Sequence, residues 1–183
     1  MIIIKKLNSS DDWFVYHHSV ITASASNKFF MRLNNTNALE SNGSAYTSTS
    51  VSNTTFGVGN DDKISESGES FIAYCFAEKR GYSKVGSYTG NGNANGSFIY
   101  TGFKPAFVLS KDTTGAGENW FIHDNKRNSF NPTNTYLRPN LSNAEGTAAH
   151  YDFYSNGFKN RYAGGSLNSS GRTYIYMAFA ENP

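Results

Sequence analysis

Short apolar runs alternate with polar loops along this chain, and the most apolar run occurs twice. The first copy is FIAYCFAEK, Phe71 to Lys79, and the second is YIYMAFAEN, Tyr174 to Asn182. Each is rich in aromatic residues and follows a Ser-Gly pair, Ser67-Gly68 and Ser170-Gly171. Apolar runs of this length, bounded by turn residues, predict buried strands. Strand alternation puts Ile72, Tyr74 and Phe76, with Ile175, Met177 and Phe179, on one face. Phe71, Ala73, Cys75 and Ala77, with Tyr174, Tyr176, Ala178 and Ala180, fall on the other. The large face should fill a core and the smaller face should take a second layer. Both strands are therefore expected in the interior of sheets.

Further runs predict strands at Ile2–Leu7, Trp13–His18, Lys28–Leu33, Thr54–Val58, Ser83–Thr89 and Ser97–Phe103. Asn34–Val51 and Gly90–Gly96 read as loops, the second made easy at positive φ by Gly and Asn. No stretch keeps a helical period. The duplication extends past the paired strands. Asp12-Trp13-Phe14-Val15 matches Asn119-Trp120-Phe121-Ile122, Phe30-Met31-Arg32 matches Tyr136-Leu137-Arg138, and Ile2–Lys6 matches Phe107–Lys111 at an offset of 105. Residues 1–78 and 106–181 thus read as two copies of one unit, connected by strands in 79–105. The expected fold is all-β, an antiparallel β-sandwich of jelly-roll or lectin-like form built from two internally duplicated halves. Residues 1–183 form a single pseudo-symmetric domain with one shared core, in which Trp13 and Trp120 occupy equivalent buried positions. Met1 falls where a second-unit repeat is already under way. Either the first unit lacks that opening strand, or the chain is part of a longer repeat protein.

Composition narrows the function classes. Aromatic residues make up 15% of the 183 and charged residues only 16%, the reverse of a disordered chain. The net charge is +2 and the longest basic run is Lys126-Arg127, so phosphate-backbone binding is not expected. Met1–Ile4 is too short for a signal-peptide core or a membrane span. The single cysteine, Cys75, reads as a small buried hydrophobe.

No catalytic constellation emerges. The sequence contains no G-x-S-x-G elbow, P-loop or H-E-x-x-H. His17 and His18 are adjacent on an expected strand, so they should point to opposite faces and read as solvated rather than as joint metal ligands. His123-Asp124 reads the same way. Glu78 and Glu181, equivalent by repeat, should pair with nearby Lys or Arg or cap the strand edge rather than act as a glycosidase pair. The acidic loops Asp61-Asp62 and Asp112–Glu118 offer oxygen ligands for calcium, but neither has EF-hand spacing and both fit turn formation. No cofactor is expected.

Five stretches carry a resemblance: AYCFAEKRGYSKVGSYTGNG (Ala73–Gly92), YTGFKPAFVLSK (Tyr100–Lys111), NWFIHD (Asn119–Asp124), YSNGFKNR (Tyr154–Arg161) and TYIYMAFAENP (Thr173–Pro183). Together they resemble a repeated domain of bacteriophage structural proteins, found in fibre-like or appendage proteins of the virion in phages of marine bacteria. The resemblance implies a virion surface protein, a tail fibre or head-decorating fibre. It implies other virion subunits as partners and, by analogy with phage fibres, a homotrimer. It supplies no catalytic residues. The expected function is non-catalytic adhesion to a host surface or glycan, with a structural spacer or decoration role as the alternative and a polysaccharide-degrading enzyme as the third reading.

Loops carry the differences between the two units, so candidate ligand-binding residues are sought there. They are Tyr46 in the Asn34–Val51 loop, Asn91, Asn93 and Asn95 in the Gly/Asn loop, and Arg161 with Tyr162 in the last loop. An aromatic ring beside amide groups suits a sugar, stacking on its ring and bonding its hydroxyls.

Overall fold

A computed structural model describes residues 1–20, 29–41, 45–47, 52 and 54–181. Its elements in the first half are β1 (Ile2–Lys6), β2 (Phe14–Tyr16), β3 (Phe29–Arg32), β4 (Glu40–Ser41), β5 (Tyr46–Thr47), β6 (Gly57–Val58), α1 (Asp62–Ser65) and β7 (Phe71–Cys75). In the second half they are β8 (Ser83–Thr89), β9 (Phe98–Tyr100), β10 (Pro105–Asp112), β11 (Trp120–Asp124), β12 (Thr133–Tyr136), β13 (Gly146–Tyr154), β14 (Gly157–Asn160), α2 (Gly165–Asn168) and β15 (Thr173–Ala180). The protein is all-β and its sheets are antiparallel. The Ser-Gly pairs before β7 and β15 place Gly68 and Gly171 at φ 82° and 76°, a backbone that favours glycine.

Sheet order is β4-β3-β2-β1-β7, β11-β10-β15-β8 and β12-β13-β14-β9, with a β5-β6 pair apart. A backbone bridge between Ile122 and Leu137 links the second and third sheets. The sheets stack in layers. Met1, Ile3, Val15 and Met31 from the first sheet meet Val85, Leu109, Trp120, Ile175 and Met177 from the second in a central core. The other face of the first sheet packs Ile2, Ile4, Phe14 and Phe30 against Ala45 and Ile64. The other face of the second sheet packs Val108, Phe121, Tyr174 and Tyr176 against Ile99, Tyr151, Phe153 and Phe158 of the third. The sandwich is thus layered more deeply than one shared core requires. Both faces of β15 are buried, as its apolar alternation demands.

Matching contacts recur in the two halves. Asn34 Oδ1 accepts the Trp13 N–H, and Asn140 Oδ1 accepts the Trp120 N–H, both at 3.0 Å. Arg32 lies over Phe14 and Phe30, and Arg138 over Phe121 and Tyr136. β3 pairs β4 through Phe29↔Ser41, and β12 pairs β13 through Thr135↔Thr147. Ile3 pairs with Val15 and Tyr74, while Leu109 pairs with Ile122 and Met177. By these registers Ile3 stands in its sheet as Leu109 stands in the second, a spacing of 106 residues rather than the 105 read from the sequence. The slip matters, since one residue exchanges the two faces of a strand. The ammonium contacts agree with it: half-buried Lys5 Nζ reaches the Lys6 carbonyl and buried Lys111 Nζ the Asp112 carbonyl. Lys6 pairs with Glu66 and lies 3.9 Å from Glu69, whereas Asp112 pairs with Arg172 at 2.9 Å.

Several expectations fail here. β7 is the last strand of its sheet rather than an interior one, and Ala73, Tyr74 and Cys75 are exposed. Cys75 is therefore not a buried hydrophobe. Trp120 is fully buried and donates its indole N–H to Arg32 O, but Trp13 is only half-buried and stacks on the exposed Tyr74. His17 and His18 do not face opposite ways. β2 ends at Tyr16, and their rings stack 5.4 Å apart with His17 buried. His123 is buried as well, its Nε2 2.9 Å from His150 Nδ1.

Candidate functional site

The outward face of the third sheet carries a cluster of three exposed aromatics. In Ser97–Thr101 the side chain of Ile99 enters the core, so Phe98 and Tyr100 must point out; they are 47% and 65% exposed. On β13, Tyr151 and Phe153 fill the core, which turns Asp152 and Tyr154 outward; Tyr154 is 40% exposed. β14 lies between β9 and β13, with Gly157 opposite Tyr100 on one side and Tyr154 on the other. Gly157 is what lets these rings close over the strand. A Cβ there would meet Ile99 O at 2.2 Å and Phe98 Cζ at 2.9 Å, so the Phe98 ring lies across a position with no side chain. The Phe98 and Tyr154 rings meet edge to face, 6.0 Å apart.

Polar groups border this aromatic face. Tyr154 Oη donates to Asp152 Oδ2 at 3.1 Å, and Arg161 Nε lies 3.4 Å from the same oxygen. The Tyr154 phenol is held above the ordinary tyrosine range, first by desolvation and then by the Asp152 carboxylate, so it remains an O–H donor. Lys159 Nζ donates to Asn95 Oδ1 at 2.6 Å. Aromatic planes bordered by a carboxylate, a guanidinium, an ammonium and an amide can hold the apolar face of a ring and bond hydroxyls around it. Asp152 is the one carboxylate in the four strands of this sheet, whereas glycoside hydrolysis takes two across a groove.

The sequence candidates fall partly on this face. Asn95 and Arg161 are on its border. Asn91, Asn93 and Tyr162 lie one step away, drawn together by a residue that sequence reasoning missed. Buried Asn168, in α2, points Nδ2 within 2.8–2.9 Å of Asn91 Oδ1, Asn93 O and Tyr162 O, and its Oδ1 accepts the Asn91 N–H. The Gly/Asn loop also bonds within itself, with Asn91 Oδ1 accepting from Asn93 N–H and Asn93 Oδ1 from Asn95 N–H. These amides brace the loop more than they face outward. Tyr162 packs edge-on against His150. The backbone of Tyr46 pairs with Val58, and its side chain lies outside the described part of the chain. Phe98, Tyr100 and Tyr154 were missed because strand aromatics were assigned to the core. The signal was the single apolar Ile99 between two large rings.

Three of the acidic groups considered for calcium, Asp61, Asp112 and Glu118, are engaged within the protein. Asp61 caps α1 by accepting the Lys63 N–H. Asp112 accepts from Thr114, Gly115 and Arg172, and Glu118 accepts from Ser166 and Arg172. Among the described residues, no group of three or more His, Cys, Asp or Glu is placed to hold a metal ion. Glu78 pairs with Lys84 and Glu181 with Lys126, so both carboxylates form ion pairs as expected.

Residues 1–183 match the family model described as Domain of unknown function (DUF7483), and the chain belongs to that family. No curated protein and no solved structure matches it.

Proposed function

We propose that this chain is a non-catalytic adhesion domain at the surface of a bacteriophage virion, in a tail fibre or a head decoration. In this reading the face formed by β9, β14 and β13 binds the sugar rings of a host-surface glycan. The virion setting rests on the sequence resemblance. The binding reading rests on one observation: Phe98, Tyr100 and Tyr154 stand exposed on one face. Exposed aromatic clusters with polar borders mark interaction sites, and rings of this kind suit a pyranose better than a charged polymer. The near-neutral charge and the single carboxylate of the sheet fit binding without bond cleavage.

The test is a glycan array followed by titration of the best ligand. Tyr100→Ala and Tyr154→Ala should each weaken binding at least about tenfold, roughly 1.4 kcal/mol, with the melting temperature little changed. Binding that survives the double variant would move the site elsewhere. Oligosaccharide release from host polysaccharide would overturn the non-catalytic reading. Absence of any binding to host cells or their polysaccharide would favour a spacer that contacts only other subunits.

A further inference from the structure

We propose that the outer edge of β7 is a self-association surface, where β7 of a second copy pairs antiparallel about a two-fold axis at Ala73. The inference does not depend on the glycan reading. Phe76 N–H donates to Met1 O and Leu7 N–H to Ser70 O, so Ser70 and Phe76 face β1. Alternation gives Ile72 and Tyr74 the same direction and turns the backbone of Phe71, Ala73 and Cys75 outward. Among the described residues β7 pairs with no strand other than β1. From 71 to 76 it has no charge, no proline and no bulge. Natural sheets guard such edges, because unpaired amides and carbonyls template further strands.

The contrast with β8, the edge of the next sheet, is direct. There Glu78 Oε1 accepts the Val85 N–H, Ser97 Oγ donates to Thr89 O, and Lys79 bridges to Ser83. β8 is guarded and, among the described residues, β7 is not. The second sheet also displays what this edge accepts. Phe71, Ala73 and Cys75 stand opposite Lys6, Ile4 and Ile2, just as Tyr174, Tyr176 and Ala178 stand opposite Asp112, Ser110 and Val108. Those three residues of β15 receive the antiparallel β8 on their other side, as Tyr174↔Tyr88, Tyr176↔Gly86 and Ala178↔Lys84.

A second β7 fits the place. A two-fold axis at Ala73 sets Phe71 against the partner's Cys75, large against small, and Ala73 against its own copy. No like charges meet. The axis position also needs little room: in the second sheet Tyr176 stands there and requires Gly86 opposite, where a Cβ would lie 2.8 Å from the Tyr176 hydroxyl. A self-complementary edge closes as a dimer with two-fold symmetry and not as the trimer implied by the fibre resemblance.

The experiment is sedimentation equilibrium of the whole chain from about 1 to about 100 µM, the range of a modest interface. The expected species has twice the 20.1 kDa chain mass. Ala73→Pro removes an outward N–H, and Cys75→Lys places a charge on an exposed position. Each should weaken the dimer at least tenfold, and Cys75→Lys should do so with a melting temperature unchanged at concentrations where the chain is monomeric. Oxidative trapping reads the register. Phe71→Cys places its thiol across from the partner's Cys75 and should give a covalent dimer. The unsubstituted chain should not, because its two Cys75 thiols would lie about 13 Å apart along the strands. Ile72→Cys should not either, since Ile72 points to the opposite face. A monomer or trimer throughout the range, a dimer indifferent to Cys75→Lys, or equal trapping at Ile72→Cys would overturn the proposal.

Discussion

Acid should destabilise this protein well above the pH at which its carboxylates titrate, because three imidazoles are buried without charge. Desolvation dominates in each case. It lowers His17 to about 3 and His150 to about 4, and holds His123 well below the usual 6.5. The tautomer of His17 is fixed: its Nδ1 accepts the Ser19 N–H, leaving Nε2–H to donate to Tyr176 O at 3.2 Å. A depressed folded pKa means that below about 6.5 the unfolded chain binds protons that the folded chain refuses. Stability is therefore complete above that pH and is lost as the pH falls from 6.5 toward 4. Between pH 7 and pH 5 each such imidazole costs about 2 kcal/mol, at about 1.4 kcal/mol per unit below its unfolded pKa. His17 and His150 alone cost about 4 kcal/mol, a large share of the roughly 5–15 kcal/mol of an ordinary domain, and His123 acts in the same direction. Glu78 and Glu181, depressed from 4.5, add their loss only at lower pH. The assay is urea unfolding at pH 7, 6 and 5. His17→Gln, whose amide can still reach Tyr176 O, should recover about 2 kcal/mol of the difference between pH 7 and pH 5. A stability constant from pH 7 to pH 5, or a loss unaltered by His17→Gln, would refute the reasoning.

Trp120→Ala should cost about 3–5 kcal/mol in urea unfolding, and Trp13→Ala, from a half-buried site, clearly less; equal losses would contradict the burial difference. Asn168→Ala removes the amide that gathers Asn91, Asn93 and Tyr162. It should cost about 1–3 kcal/mol and speed hydrogen exchange in residues 90–96 and 161–168, with the first core strands unaffected.

The all-β class and most strands were legible because apolar alternation and polar turns are local signals. β15 read correctly as central, since apolar residues on both faces require two layers. β7 carries the same signal yet ends its sheet. Alternation reports what lies above and below a strand, whereas its lateral neighbour is set by a different segment, here β8. The β1 and β10 sequences can be laid over each other in two ways, because Lys5-Lys6 offers two lysines to match Lys111, and only strand register chooses between them. The histidines were misread because the β2 strand stops at Tyr16, and the turn that follows folds His17 inward. Of the candidate site, Asn95 and Arg161 came from loop composition. Phe98, Tyr100 and Tyr154 required knowing which side of the third sheet meets the core.

The opposite polarity of Lys6–Glu69 and Asp112–Arg172 has a consequence for folding errors. Strands this alike could pair with the wrong partner while the chain is still assembling. β1 laid on β15 in the same register would bring Lys6 beside Arg172, and β10 laid on β7 would bring Asp112 beside Glu69. Each mispairing sets a like charge beside a buried one, Lys6 or Asp112, where the repulsion is less screened than between two surface groups. The two ion pairs thus act as an address label, directing each central strand to its own mate. Reversing the first, with Lys6→Asp, Glu66→Lys and Glu69→Arg together, would erase the label while keeping opposite charges together in the native fold.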